Sequence, residues 1–148
     1  GSVSVEDSGR GMPVDMHARG VSTLEVIFTV LHAGGKFSEA GGYKTCGGLH
    51  GVGASVVNAL SEWVEVTVHR GGKIYQMNFS DGGSKASKLK ELGKTNKTGS
   101  KVHFMPDKRI FSTTHFSFST ICERARENAF LLKGLRMIVV DERKEDSC

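Results

Sequence analysis

The sequence predicts an α+β fold, a two-layer sandwich in which one mixed β-sheet carries helices on one face. Three observations lead there. Val64, Val66 and Val68 alternate with Glu65, Thr67 and His69, and Tyr75, Met77 and Phe79 alternate beyond Gly71-Gly72. That is the period-two pattern of a hairpin with one wet face. Three stretches, near 22–31, 54–60 and 120–132, repeat apolar residues at the helical period. Strand patterns stand at both ends and in the middle with the helices between them, an order that suits a single sheet with helices packed on it.

In chain order, Val3 and Val5 alternate with Ser2 and Ser4, so a half-buried strand ends near Asp7. Ser22 and Glu25 have capping-box spacing. Val26, Ile27, Val30 and Leu31 then form an apolar face, with Gly34-Gly35 as the stop. The stretch 36–46 is polar and glycine-bearing, a mobile loop in physical terms. In the helix of 54–60, Val56, Val57 and Leu60 share a face with Ala59 beside them. The 64–68 and 75–79 hairpin follows, and Asp81-Gly82-Gly83 turns the chain again. The lysine-rich run 84–97 has few apolar anchors and reads as an exposed loop or short strand, more simply a solvated face than a DNA contact. Lys101 to Phe104 is another alternating strand. Thr120 and Glu123 have capping-box spacing for a last helix along Ile121, Cys122, Ala125, Ala129 and Leu132, stopped at Gly134. Leu135 to Val140 is expected to be a final strand.

With 148 residues the chain is expected to form one domain, 1–148, burying about two thirds of its unfolded surface. Glycine accounts for 19 residues, about 13% against a usual ~7%, and the excess lies in loops. A net charge of +4 is weak support for a nucleic-acid neighbour. Cys46, Cys122 and Cys148 are odd in number and form no Cys-x-x-Cys pair, which argues against a disulfide scaffold and for a reducing compartment. Cys46 and His50 supply only half a metal site, too few ligands for zinc. There is no eighteen-residue apolar run and no signal peptide, so the cytoplasm is the expected location.

Two motifs carry chemistry. Gly47-Gly48-Leu49-His50-Gly51-Val52-Gly53 runs into the helix of 54–60. A glycine-rich loop opening a helix can aim several backbone N–H groups at one anion, aided by the helix dipole. The spacing is G-x-x-G-x-G, neither the Walker nor the Rossmann order. The other is Asp7-Ser8-Gly9-Arg10-Gly11-Met12-Pro13. A carboxylate at a strand end, followed by glycines that admit a flat ligand, can accept a hydrogen bond from an exocyclic amine such as that of adenine. Each motif also has a plain reading, a flexible loop and an Asp-Ser-Gly turn.

Together and in this order, the two motifs resemble the nucleotide-binding boxes of the ATPase superfamily shared by type II topoisomerase B subunits, Hsp90, MutL and sensor histidine kinases. Thr29 to Phe37, Tyr43 to Gly53, Val56 to Ser61, Ile110 to Thr114 and Ala129 to Leu135 extend the resemblance, nearest to the bacterial type II topoisomerases, over nearly the whole chain. It implies the Bergerat-type ATP-binding fold, here incomplete, with 36–46 as the ATP lid. It implies ATP binding by Val5, Asp7, Gly11, Met12, Lys36, Gly48, Leu49, His50, Gly51, Val52, Gly53 and Ser100. Asp7 takes the adenine amino group, Ser100 stands where the family usually has threonine, and Arg10, Pro13 and Arg70 form a rim that inhibitors touch. Ser8 replaces a commoner asparagine.

The resemblance also implies Mg²⁺, and in the full protein DNA, a second B subunit and an A subunit, with no membrane. The catalytic glutamate and the Mg²⁺-binding asparagine belong to a helix ahead of Gly1, so no catalytic residue and no metal ligand are expected within the chain, which alone should be inactive. A sensor kinase, a chaperone or repair clamp, and a binding module without nucleotide are the competing classes. Gly48-Leu49-His50-Gly51-Val52-Gly53 and the segment after Ser100 favour the topoisomerases.

Overall fold

In the computed structural model, residues 1–16, 20–31 and 52–148 are described. The chain divides into two compact units, Gly1–Thr113 and Thr114–Cys148.

The first unit is α+β, as expected. Strand β1 (Val3–Glu6) is followed by helix α1 (Thr23–Thr29) and helix α2 (Gly53–Ala59). Strands β2 (Ser61–Arg70) and β3 (Lys73–Ser80) form the foreseen hairpin around Gly71-Gly72, both with φ > 0. Short strands β4 (Lys85–Ala86) and β5 (Lys90–Lys94) and the long β6 (Gly99–Pro106) complete the unit. The order is β1-β6-β2-β3-β4, with β5 also on β3, and these described pairs all run antiparallel.

One sheet face holds the core. Val64, Val66 and Val68 of β2, with Met77 and Phe79 of β3, meet Leu24 and Phe28 of α1. The Phe28 and Phe79 rings stack with centroids 5.4 Å apart. Ser22 caps α1 by accepting from the Glu25 N–H. The helix stops at Thr29, ahead of the predicted glycines, and the expected apolar face is only partly right. Leu24, Val26 and Phe28 are buried, whereas Leu31 lies past the helix and is exposed.

α2 also turns a different face inward. Ser55 and Asn58 are buried, and Val56 is exposed. Asn58 Nδ2 donates to the Phe28 carbonyl at 2.9 Å. That bond joins two helices and satisfies a carbonyl near the end of α1, where intrahelical partners run out.

The second unit holds α3 (Phe118–Leu131) and a two-stranded hairpin, β7 (Val140–Asp141) with β8 (Asp146–Ser147). The helix begins earlier than its spacing suggests, with Ser117 as cap accepting from the Thr120 N–H. Of the predicted strand 135–140 only its end is a strand, held by two backbone bonds between Val139 and Cys148. Cys122 and Cys148 form a disulfide across a Cα–Cα distance of 6.3 Å. This corrects the inference drawn from cysteine number. An odd count leaves open which two meet, and here the final hairpin ends within bonding distance of α3.

Candidate functional site

The site forms where three strands end together. β1 ends at Glu6, and Asp7 continues its ladder, with the Asp7 N–H donating to the Ser100 carbonyl at 2.9 Å. The side chain then turns back. Asp7 Oδ1 accepts from the Gly9 N–H at 2.8 Å and from the Ser100 N–H at 3.3 Å. Bonds of this kind hold a carboxylate in one orientation.

Ser100, 5% exposed, is the second anchor, and its hydroxyl accepts from the Met12 N–H at 2.9 Å. The loop from Asp7 to Met12 is therefore tied at both ends to one residue of β6. The third tie is Arg70, the last residue of β2, whose Nη1 donates to the Gly11 carbonyl at 2.6 Å.

Two glycines make this closure possible. Gly11 has φ +82°, and a Cβ there would lie 2.7 Å from the His69 carbonyl oxygen. At Gly99, φ is +137° and a Cβ would lie 2.0 Å from the Asp7 carbonyl oxygen. No side chain fits either gap. Gly99 was not singled out in the sequence. Its only signal is its place in Thr98-Gly99-Ser100, just before a strand that must approach another backbone.

The predicted site residues divide clearly. Asp7, Gly11, Met12, Arg70 and Ser100 are brought together by these bonds. Val5 faces Val102 in the register and is 60% exposed, on the same sheet face as the core valines. Pro13 is half-buried beside Met12, and Arg10 lies on the exposed part of the loop. Val52 and Gly53 stand at the start of α2, where Val52 occupies the cap position without a side-chain bond. Lys36, Gly48, Leu49, His50 and Gly51, and with them the lid 36–46, lie outside the described residues.

Among the described residues no group of three His, Cys, Asp or Glu side chains is gathered to hold a metal ion, and no helix is long and apolar enough to cross a membrane. A hollow of about 500 Å³ opens elsewhere, beside Trp63, Glu65, Asn78, Ser80 and Lys85, and contains none of the residues above.

Residues 1–110 match the family described as histidine kinase-, DNA gyrase B- and HSP90-like ATPase. The chain belongs to this ATPase family. The match takes in the whole Asp7–Ser100–Arg70 closure.

Similarity to named members of the family is high. The chain is 60% identical over 97% of its length to the B subunit of DNA topoisomerase 4 from Bacillus subtilis. The values are 63% over 97% for the protein of the same name from Staphylococcus epidermidis and 61% over 98% for that from Enterococcus faecalis. It spans 21–22% of the length of these relatives.

Proposed function

We propose that the chain is the ATP-binding portion of a type II DNA topoisomerase B subunit of the topoisomerase IV kind. In the full protein, ATP binding and hydrolysis would drive one DNA duplex through another. The observation that carries the nucleotide reading is the Asp7 carboxylate. It is oriented by two backbone N–H groups, in a loop that Gly11 and Gly99 allow to close against the neighbouring strands. Adenine offers the matching exocyclic amine. Ser100, whose N–H donates to that carboxylate, serves the water on the base side through its hydroxyl. Val5 and Met12 line the base, and Arg10, Pro13 and Arg70 form the rim.

The backbone N–H groups of 48–53, with Lys36 from the lid, take the phosphates, and Mg²⁺ accompanies the triphosphate. DNA, a second B subunit and an A subunit are the partners, and the cytoplasm is the place of action. The names and identities of the relatives support topoisomerase IV, as do Ile110-Phe111-Ser112-Thr113-Thr114 and Phe130-Leu131-Leu132-Lys133-Gly134-Leu135. The B subunit of DNA gyrase, an enzyme that supercoils DNA with ATP, is the alternative.

The test has two parts. A non-hydrolysable ATP analogue or a gyrase-type inhibitor should raise the melting temperature of the chain, and that rise should vanish in Asp7→Asn. The full-length protein with its A subunit should decatenate linked DNA circles with ATP and introduce no negative supercoils. No thermal shift with either ligand would remove the nucleotide reading, and ATP-dependent supercoiling would move the assignment to gyrase.

A further inference from the structure

We propose that the edge formed by β5 and the segments flanking it is a docking surface for the phosphate backbone of duplex DNA. Between Lys85 and Lys97 the chain carries five lysines and one acid, Glu91. Lys88, Lys90, Lys94 and Lys97 are exposed, and none of the four makes an ion pair among the described residues.

Their placement is unusual for a sheet. Arg70 faces Lys73 across the hairpin, and Lys73 faces Lys94 on β5. Like charges directly opposite across strands destabilise a sheet. Glu91 relieves Lys73, with 3.3 Å between Nζ and Oε1, and Arg70 is committed to the Gly11 carbonyl. Lys94 receives no such relief. Lysines protect edge strands from pairing with other chains, which accounts for single charges along β5. It does not account for a cation set opposite another cation. A polyanion lying along the edge does, because it removes the repulsion.

The platform is held in place. The Thr95 N–H donates to the Gly72 carbonyl at 3.0 Å, and His69 Nδ1 lies 3.0 Å from Thr95 Oγ1. At ~3.3 Å per residue, Lys88 to Lys97 reaches at most about 30 Å, close to the ~34 Å of one duplex turn. Duplex DNA, with one charge per ~1.7 Å of axis, presents a dense row of phosphates over that length. This inference deepens the DNA side of the proposed function and does not depend on its nucleotide side.

The experiment is fluorescence anisotropy of a labelled 30-base-pair duplex with the chain between 50 and 200 mM KCl. Three proteins are compared: the chain as it is; the edge variant Lys88→Gln, Lys90→Gln, Lys94→Gln, Lys97→Gln; and a control variant of equal charge loss, Lys108→Gln, Arg126→Gln, Lys133→Gln, Lys144→Gln. Each neutralised phosphate contributes a slope of about −0.9 in log K against log salt. The edge variant should bind at least tenfold more weakly at 50 mM, with a slope shallower by about 2–4, while the control stays close to the parent.

Equal losses in the two variants would make the effect one of net charge alone and overturn the proposal. Absence of DNA binding by the parent would overturn it too, as would binding to anionic phosphatidylserine vesicles with none to DNA. The double variant Lys88→Gln, Lys97→Gln alters only residues outside the strand and replaces the edge variant if that one does not fold. Thermal shift by the ATP analogue is read on all the proteins. Its failure with the DNA result intact would count against the nucleotide reading alone.

Discussion

At the scale of single residues, the site depends on groups that cannot be exchanged for near neighbours. At the proposed adenine site, Asp7→Asn keeps the size of the side chain but would replace a carboxylate oxygen with donors that face the base amine. A charge-assisted hydrogen bond contributes roughly 1.5–3 kcal/mol. At ~1.4 kcal/mol per decade, aminopurine-like ligands should therefore bind about tenfold or more weakly, as read by calorimetric titration. Gly11→Ala acts differently, because it strains the protein before any ligand arrives. Its φ of +82° and the 2.7 Å gap to the His69 carbonyl oxygen should lower stability by about 1–3 kcal/mol, visible as a lower denaturant midpoint. Asp7 and Gly11 were legible in the sequence, since a carboxylate at a strand end before two glycines is a local pattern. Gly99 was not. What it must avoid is a carbonyl oxygen more than ninety residues away in sequence.

At the scale of elements, the hairpin of β2 and β3 was legible in full, because its alternation and its Gly-Gly turn lie side by side. The faces of the short helices were not. Apolar period alone put Val56, Val57 and Leu60 inward, yet Asn58 is the buried residue because the Phe28 carbonyl waits for it. A single distant acceptor outweighs a valine on a helix of seven residues. The disulfide was missed for a similar reason, since pairing depends on how a hairpin ends relative to a helix.

The β7–β8 hairpin carries its own pH dependence. The Arg143 guanidinium holds Asp141 at a pKa of about 2, through side-chain bonds of 2.8 and 2.7 Å. A carboxylate whose folded pKa is depressed stabilises the fold above its unfolded pKa, near 3.8, and loses that contribution as pH falls toward 2. Unfolding of the chain followed by circular dichroism should therefore show stability falling between about pH 4 and pH 2. Asp141→Asn should lower stability at neutral pH and flatten that part of the curve.

At the scale of the whole molecule, all the described site residues fall in Gly1–Thr113, and so does the core cluster around Phe28 and Val66. A shortened chain ending at Thr113 should then gain as much thermal stability from the ATP analogue as the longer one. A clearly smaller gain, measured by calorimetry, would mean that Thr114–Cys148 contributes to binding.

Among the described residues β1 has a sheet partner on one side only, and the loop that follows it is tied to that partner, β6, through Ser100. A ligand on Asp7 would therefore act as a clasp on a strand that can otherwise peel away. Occupancy of the pocket and closure of the sheet's outermost seam become two views of one equilibrium, with each tenfold rise in free ligand above Kd adding about 1.4 kcal/mol to the closed form. The amides of Val3 to Asp7 should exchange with deuterated water more slowly in step with ligand concentration, while those in the middle of β2 hold their rate until the whole unit opens. A strand at the margin of the sheet would then report how full the pocket is.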